Sequence, residues 1–126
     1  MRTIINWFEK YPAISWTITI IIAGTIFYLS SKTFPPGPPA ISNLSIFYHF
    51  FAFFFLAAFL SISMIKGKVN KYLILMAIII VALYGISDEI HQLFVPGRHF
   101  SLYDIFTDST GALTASTIYL GLCFKK

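Results

Sequence analysis

The stretch Ser87 to Gly111 reads SDEIHQLFVPGRHFSLYDIFTDSTG, and the way it breaks decides the fold. It begins as the polar tail of an apolar run and stops at Pro96-Gly97. It restarts at Ser101, which can cap a new helix, with Asp104 three residues on as a capping-box-like partner. Helix, break and helix leaving from the same side make a helical hairpin. The stretch also concentrates the chemistry of the chain. It holds four of the five acidic residues, two of the three histidines and, of nine basic residues, Arg98 alone. Ionisable groups at the lip of apolar segments are costly in a membrane and are usually kept for a purpose.

Outside that stretch the sequence is apolar span, basic connector or proline-rich loop. Of 126 residues, 57% are hydrophobic and 11% charged, with a mean hydropathy of +0.78. A soluble domain carries about 25% charge, so the composition is that of a membrane protein with room for one compact bundle. The expected class is all-α, with four transmembrane helices in a single domain spanning 1–126. The expected spans are about 12–31, 44–65, 71–93 and 101–124. A signal peptide is the rival reading of the first run. The uncharged segment Tyr11 to Ser31 is 21 residues, longer than an apolar signal core of about 7–15, and Ser30-Ser31 make a poor cleavage site. Pro35, Pro36, Gly37, Pro38 and Pro39 give a stiff connector after it. The single cysteine, Cys123, excludes an internal disulfide. The net charge of +4 sits at span ends rather than on a basic face, which argues against nucleic acid.

Seven of the nine basic residues, Arg2, Lys10, Lys66, Lys68, Lys71, Lys125 and Lys126, fall at one end of the alternating spans; Lys32 and Arg98 fall at the other. The positive-inside rule then places both termini in the cytoplasm and the Ser87 to Ser101 region outside. It also brings His49, Asp88, Glu89, His91, Gln92, Asp104 and Asp108 into one layer, contributed by three helices. At 100° per residue, Ser101, Asp104, Asp108, Gly111 and Ala115 share a stripe, as do Tyr84, Asp88 and Gln92. His91 and Glu89 flank the second stripe about 160° apart, so a regular helix cannot aim both at one point.

The candidate ligand-binding residues are therefore His49, Asp88, Glu89, His91, Gln92, Arg98, Ser101, Asp104 and Asp108. For acid–base chemistry, Asp88, Glu89 and His91 are the catalytic candidates. Simple structural duties compete with these roles. Asp88 and His91 can hydrogen-bond along the helix, and Arg98 can pair with Asp104 or Asp88. Arg98 can also offer a fork to a lipid phosphate. Asp108, two turns into its helix, must be paired, protonated or facing a wet cavity. Zinc ligands could come from His49, Asp88 or Glu89, His91 and Asp108, but no HExxH or cysteine-pair spacing is present; no metal and no cofactor is expected. No GxSxG elbow supports a serine nucleophile.

The residues Asp88-Glu89-Ile90-His91-Gln92, then Phe94, Pro96, Arg98, Ser101, Asp104, Asp108 and Gly111, resemble the VanZ-like membrane protein family, whose pattern is roughly D-E-x-x-Q-x-F-x-P-x-R, a serine, D-x-x-x-N/D and a glycine. Phe27 to Ser31 and His49 fit the same resemblance, which covers nearly the whole chain. The chain departs from it before His49, where members often carry an Asp-Lys pair and Ser45 to Tyr48 stand here. The resemblance implies a link to resistance against the glycopeptide teicoplanin. Residues and resemblance together lead to a multi-pass cell-membrane protein whose outward polar pocket binds an envelope lipid or amphiphile head group. The alternatives are a membrane-embedded enzyme acting on a lipid-phosphate or polyprenyl-linked substrate, and a proton-coupled carrier. Membrane lipids are the expected partners; oligomeric state is left open.

Overall fold

A computed structural model describes residues 1–35 and 43–124. Most of the proline-rich connector, and Lys125 and Lys126, lie outside the described residues. Among the described residues the chain forms five helices: α1 (Arg2–Lys10), α2 (Pro12–Ser30), α3 (Asn43–Ile65), α4 (Lys71–Gln92) and α5 (Leu102–Phe124). Four of them match the expected segments to within about two residues. The first, α1, was not expected.

Proline sets the first boundary. Pro12 fixes its own φ at the first turn of α2 and restricts the residue before it, so α1 ends at Lys10 and Tyr11 turns the corner with φ −116° and ψ 70°. In α1, Ile5 and Phe8 pack against a small core of Ile62, Ile65, Tyr119 and Cys123. Ile4 and Trp7, with Tyr11 just beyond the helix, stay exposed on another side. That i, i+3 spacing is the signal that could have found the helix. It is easily lost in nine residues flanked by charges.

Apolar side chains are exposed on every long helix, among them Ile20, Ile21, Phe51, Phe55, Ile79, Ile80, Leu113 and Ile118. Such a surface suits a hydrocarbon solvent. α2, α3 and α4 are long and apolar enough to cross a membrane. That makes three candidate spans, where four were expected. The 23 residues of α5 match α3 in length but carry Asp104, Asp108 and six serines or threonines. Five of those hydroxyls (Thr107, Ser109, Thr110, Thr114 and Thr117) donate to the carbonyl four residues back at 2.7–2.9 Å. The polar groups of α5 are thus largely satisfied within the helix.

The main core is Phe53, Leu56, Ala57 and Leu60 of α3, Ala77 and Val81 of α4, Ile26 of α2, and Ala112 and Ala115 of α5. Its closest helix pair is α3 with α5, where Gly111 brings the two backbones together. α1 and the last turns of α5 meet the Lys66–Gly67 turn at one end of the bundle. There Tyr119 donates its hydroxyl to Glu9 at 2.9 Å and accepts the Gly67 N–H at 3.2 Å, while Arg2 lies 3.6 Å from Glu9. The α4–α5 connection closes the opposite end. Gly97 has φ +78°, and a side chain there would run into the Phe34 carbonyl, so the turn needs glycine. The Phe34 N–H donates to the Pro96 carbonyl at 3.1 Å, tying the segment after α2 to this turn.

Candidate functional site

The polar residues gather at the end closed by the α4–α5 connection. His49 stands in the second turn of α3 and is 3% exposed; Asp108 of α5 is 1% exposed, and Glu89 of α4 is fully buried. Asp88 and Gln92 are buried beside them, while Asp104 is half-buried at the start of α5. This is the layer anticipated from the span ends.

Its wiring is specific. The His49 ring nitrogen Nδ1 lies 2.9 Å from Asp108 Oδ1. With Asp108 ionised, its carboxylate has no hydrogen to give, so Nδ1–H is the donor and Nε2 is turned away from Asp108. That nitrogen, Nε2, faces Asp104 Oδ2 at 3.7 Å, beyond hydrogen-bond length. Gln92 Nε2 donates to both Asp88 Oδ2 and Glu89 Oε1, each at 3.2 Å. Glu89 Oε2 accepts the backbone N–H of Ser101 at 2.8 Å. Ser101 Oγ accepts the Asp104 N–H at 3.1 Å and so caps α5 as expected. The reciprocal half of the capping box is filled by Glu89 from the neighbouring helix, not by Asp104. One oxygen each of Asp88 and Asp108, and the hydroxyl of Tyr48, are buried without a hydrogen-bond partner among the described residues.

Two expected roles are corrected. Arg98 pairs with neither Asp104 nor Asp88. Its Nε and Nη2 donate to the carbonyls of Lys32 at 3.1 Å and Leu29 at 2.6 Å, and its guanidinium lies over the Phe34 ring. It caps the C-terminus of α2, where carbonyls lack helical partners and a positive charge is favoured. Nor does His91 bond to Asp88. Its Nε2 meets Ser31 Oγ at 2.9 Å, and the ring stacks on Phe27 with centroids 4.7 Å apart. The 160° between His91 and Glu89 is resolved without helix distortion: Glu89 serves α5 and His91 serves α2.

Beside this layer, α2 and α3 leave a cavity of about 270 Å³ lined by Ile21, Ile22, Thr25, Ile26, Leu29, Tyr48, Ala52, Phe55 and Phe59. Its lining is almost wholly apolar. Leu29 and Tyr48 mark the end nearest the polar layer. Sequence reasoning missed Tyr48, whose neighbour His49 carried the obvious signal. It also missed Ser31, and Tyr84 as a strut whose hydroxyl donates to the Ala23 carbonyl of α2 at 2.6 Å.

A model of the VanZ/LLP1 family matches residues 2–124. The chain belongs to the VanZ/LLP1 family. No curated protein and no solved structure matches it. The resemblance read from the Asp88 to Gly111 motif is thus borne out over nearly the whole chain. The geometry gives that motif a physical meaning: Asp88, Glu89 and Gln92 form one hydrogen-bonded unit, Ser101 joins it to α5, and Gly111 lets α5 approach α3.

Proposed function

We propose that this VanZ/LLP1 member binds a membrane amphiphile, its hydrocarbon chain in the α2–α3 cavity and its head group against the polar layer. The observation that carries this reading is the meeting of two unlike environments: an apolar cavity ending at Tyr48, whose hydroxyl is buried with no hydrogen-bond partner among the described residues, and the His49 cluster one residue along. A chain gains stabilisation from the apolar lining, and a head group with a hydrogen-bonding oxygen or nitrogen satisfies the phenol. An acidic layer favours a head group that is cationic or rich in donors over a bare phosphate. The test uses a phospholipid with a photoreactive acyl chain in proteoliposomes. Crosslinks are expected on Ile21–Leu29 and Tyr48–Phe59. Ala52→Trp, which fills the cavity, is expected to weaken labelling about 10-fold, equivalent to roughly 1.4 kcal/mol. Labelling spread evenly over all helices, or unchanged by Ala52→Trp, would refute the reading.

A second reading, a membrane-embedded enzyme acting on a lipid-phosphate or polyprenyl-linked substrate, draws support from the Asp108-oriented imidazole of His49. It moves the acid–base role from His91 to His49. Turnover of radiolabelled envelope lipids by the purified protein separates the two readings; saturable labelling with no product leaves binding alone.

The same proposal includes an orientation, with the basic end in the cytoplasm and the polar layer outward in the cell membrane. Because α5 runs back to set Tyr119 beside Gly67 and Glu9, both termini then belong to the cytoplasmic end, although α5 is not itself among the three apolar spans. In a Cys123→Ala background, Phe94→Cys is expected to react with an impermeant thiol reagent in intact cells, and Lys68→Cys to react only after permeabilisation. Phe94 and Lys68 are both exposed, so access depends on the side of the membrane. The reverse pattern would invert the orientation.

A further inference from the structure

We propose that His49, Glu89 and Asp104 bind a divalent transition-metal ion of the zinc class. One ligand atom from each lies within 4.8 Å of the other two. The three come from α3, α4 and α5, so an ion there would lock three helices together. The inference does not depend on amphiphile binding, because it stands on the ligand geometry alone.

Three observations point to a cation rather than to a plain acidic cluster. The first is the orientation of His49. With Nδ1 held by Asp108 at 2.9 Å, Nε2 is the ring nitrogen left to face Asp104 Oδ2, at 3.7 Å. A positive charge between these two groups is favourable, and at 3.7 Å they stand too far apart to share a hydrogen bond; a metal ion on the neutral imidazole would fill that gap. Ligands on a tetrahedral ion, each about 2.0–2.2 Å from it, stand about 3.4 Å apart, so that pair is already close to ligand spacing. A carboxylate behind the imidazole is also the arrangement that fixes the tautomer of metal-binding histidines and raises their basicity.

The second observation is charge. Asp88, Glu89, Asp104 and Asp108 share the layer, and among the described residues no lysine or arginine forms an ion pair with any of them. Asp88 and Asp108, 4% and 1% exposed, each keep a carboxylate oxygen without a hydrogen-bond partner. A divalent ion offsets such a concentration of buried negative charge. The third is access. Of the three ligands, His49 and Glu89 are buried and Asp104, at the start of α5, keeps partial exposure. One imidazole with two carboxylates suits zinc or manganese better than calcium or magnesium, which favour all-oxygen sets.

The experiment is equilibrium dialysis of the chelator-stripped, detergent-purified protein against zinc alone, with Co²⁺ absorption as a second readout of ligand geometry. About one ion per chain is expected. Asp104→Asn, at a half-exposed position, keeps the cap and the fold, which circular dichroism will verify, and is expected to weaken binding at least 10-fold. His49→Gln and Glu89→Gln are expected to weaken it about 100-fold and to abolish the cobalt spectrum. His91→Gln, whose ring serves Ser31 and Phe27, is expected to bind as the wild type does. Absence of stoichiometric binding to the folded wild type, or binding retained in a folded Asp104→Asn/Glu89→Gln double variant, overturns the proposal. No lipid enters the assay, so either result leaves the amphiphile reading to its own test.

Discussion

Asp108→Leu is expected to destabilise the detergent-solubilised protein by about 1.5–3 kcal/mol, the typical worth of a buried hydrogen bond to a charged group. Leucine has nearly the shape of aspartate, so little of the loss will come from a cavity. Most of it comes from His49, left 3% exposed with Nδ1–H aimed at a methyl group instead of a carboxylate. His49→Phe alone should cost a comparable amount, by stranding Asp108 among α3, α4 and α5. The double variant should lose much less than the sum, because neither partner is then left behind. Arg98→Gln supplies the control. Arg98 holds the Leu29 and Lys32 carbonyls, so its loss should add to that of Asp108→Leu without coupling. Unfolding of the singles and doubles, with chelator present to remove any metal contribution, measures both cycles. Additivity for His49 with Asp108, or strong coupling of Arg98 to Asp108, would mean that the pair is wired otherwise.

The choice between His49 and Arg98 marks the border of what the sequence made legible. Depth was legible: counting from span ends put His49, Asp88, Glu89, His91, Gln92, Asp104 and Asp108 in one layer, because a helix rises about 1.5 Å per residue regardless of its neighbours. Faces were legible for the same reason, and Asp104, Asp108, Gly111 and Ala115 all turn toward the bundle. Partners were not. Arg98 had four carboxylates within plausible reach, and only the fold of the turn around Gly97 sends it to the open carbonyls at the end of α2. Those carbonyls leave no trace in side-chain chemistry, being a demand of every helix C-terminus. The helix α1 escaped because its apolar periodicity covers less than three turns. The span count failed on α5, whose length matched expectation but whose six hydroxyls and two aspartates lower its apolar character. The α2–α3 cavity was invisible too, since a gap between helices depends on how side chains fill the interface, which periodicity does not specify.

Gly111→Ala, a change of one methyl group, is expected to cost roughly 1–3 kcal/mol, in the range of overpacked cores. An added Cβ at Gly111 would fall against the Phe50 carbonyl oxygen and within 3.1 Å of the Phe54 nitrogen. Both are backbone atoms of α3, so no side-chain rotation relieves the clash and the helices must separate. Lipid tails are as apolar as the core, and helix pairs in a membrane are held chiefly by close packing and polar contacts, which makes that separation costly. It also acts on the site, because Asp108 sits one turn before Gly111 and its 2.9 Å bond to His49 spans the same α3–α5 interface. Gly111→Ala should therefore weaken zinc binding, whereas a change far from the interface should not. Gly121→Ala is the matched control: the same helix, with nothing within 4 Å of an added Cβ. Intrinsic helix propensity favours alanine over glycine by about 0.8–1.0 kcal/mol, so Gly121→Ala should be neutral or stabilising. Opposite signs for the two substitutions in one unfolding experiment would attribute the loss at Gly111 to helix approach. Equal, near-zero effects would show that α3 and α5 stand farther apart in the membrane, and with them His49 and Asp108.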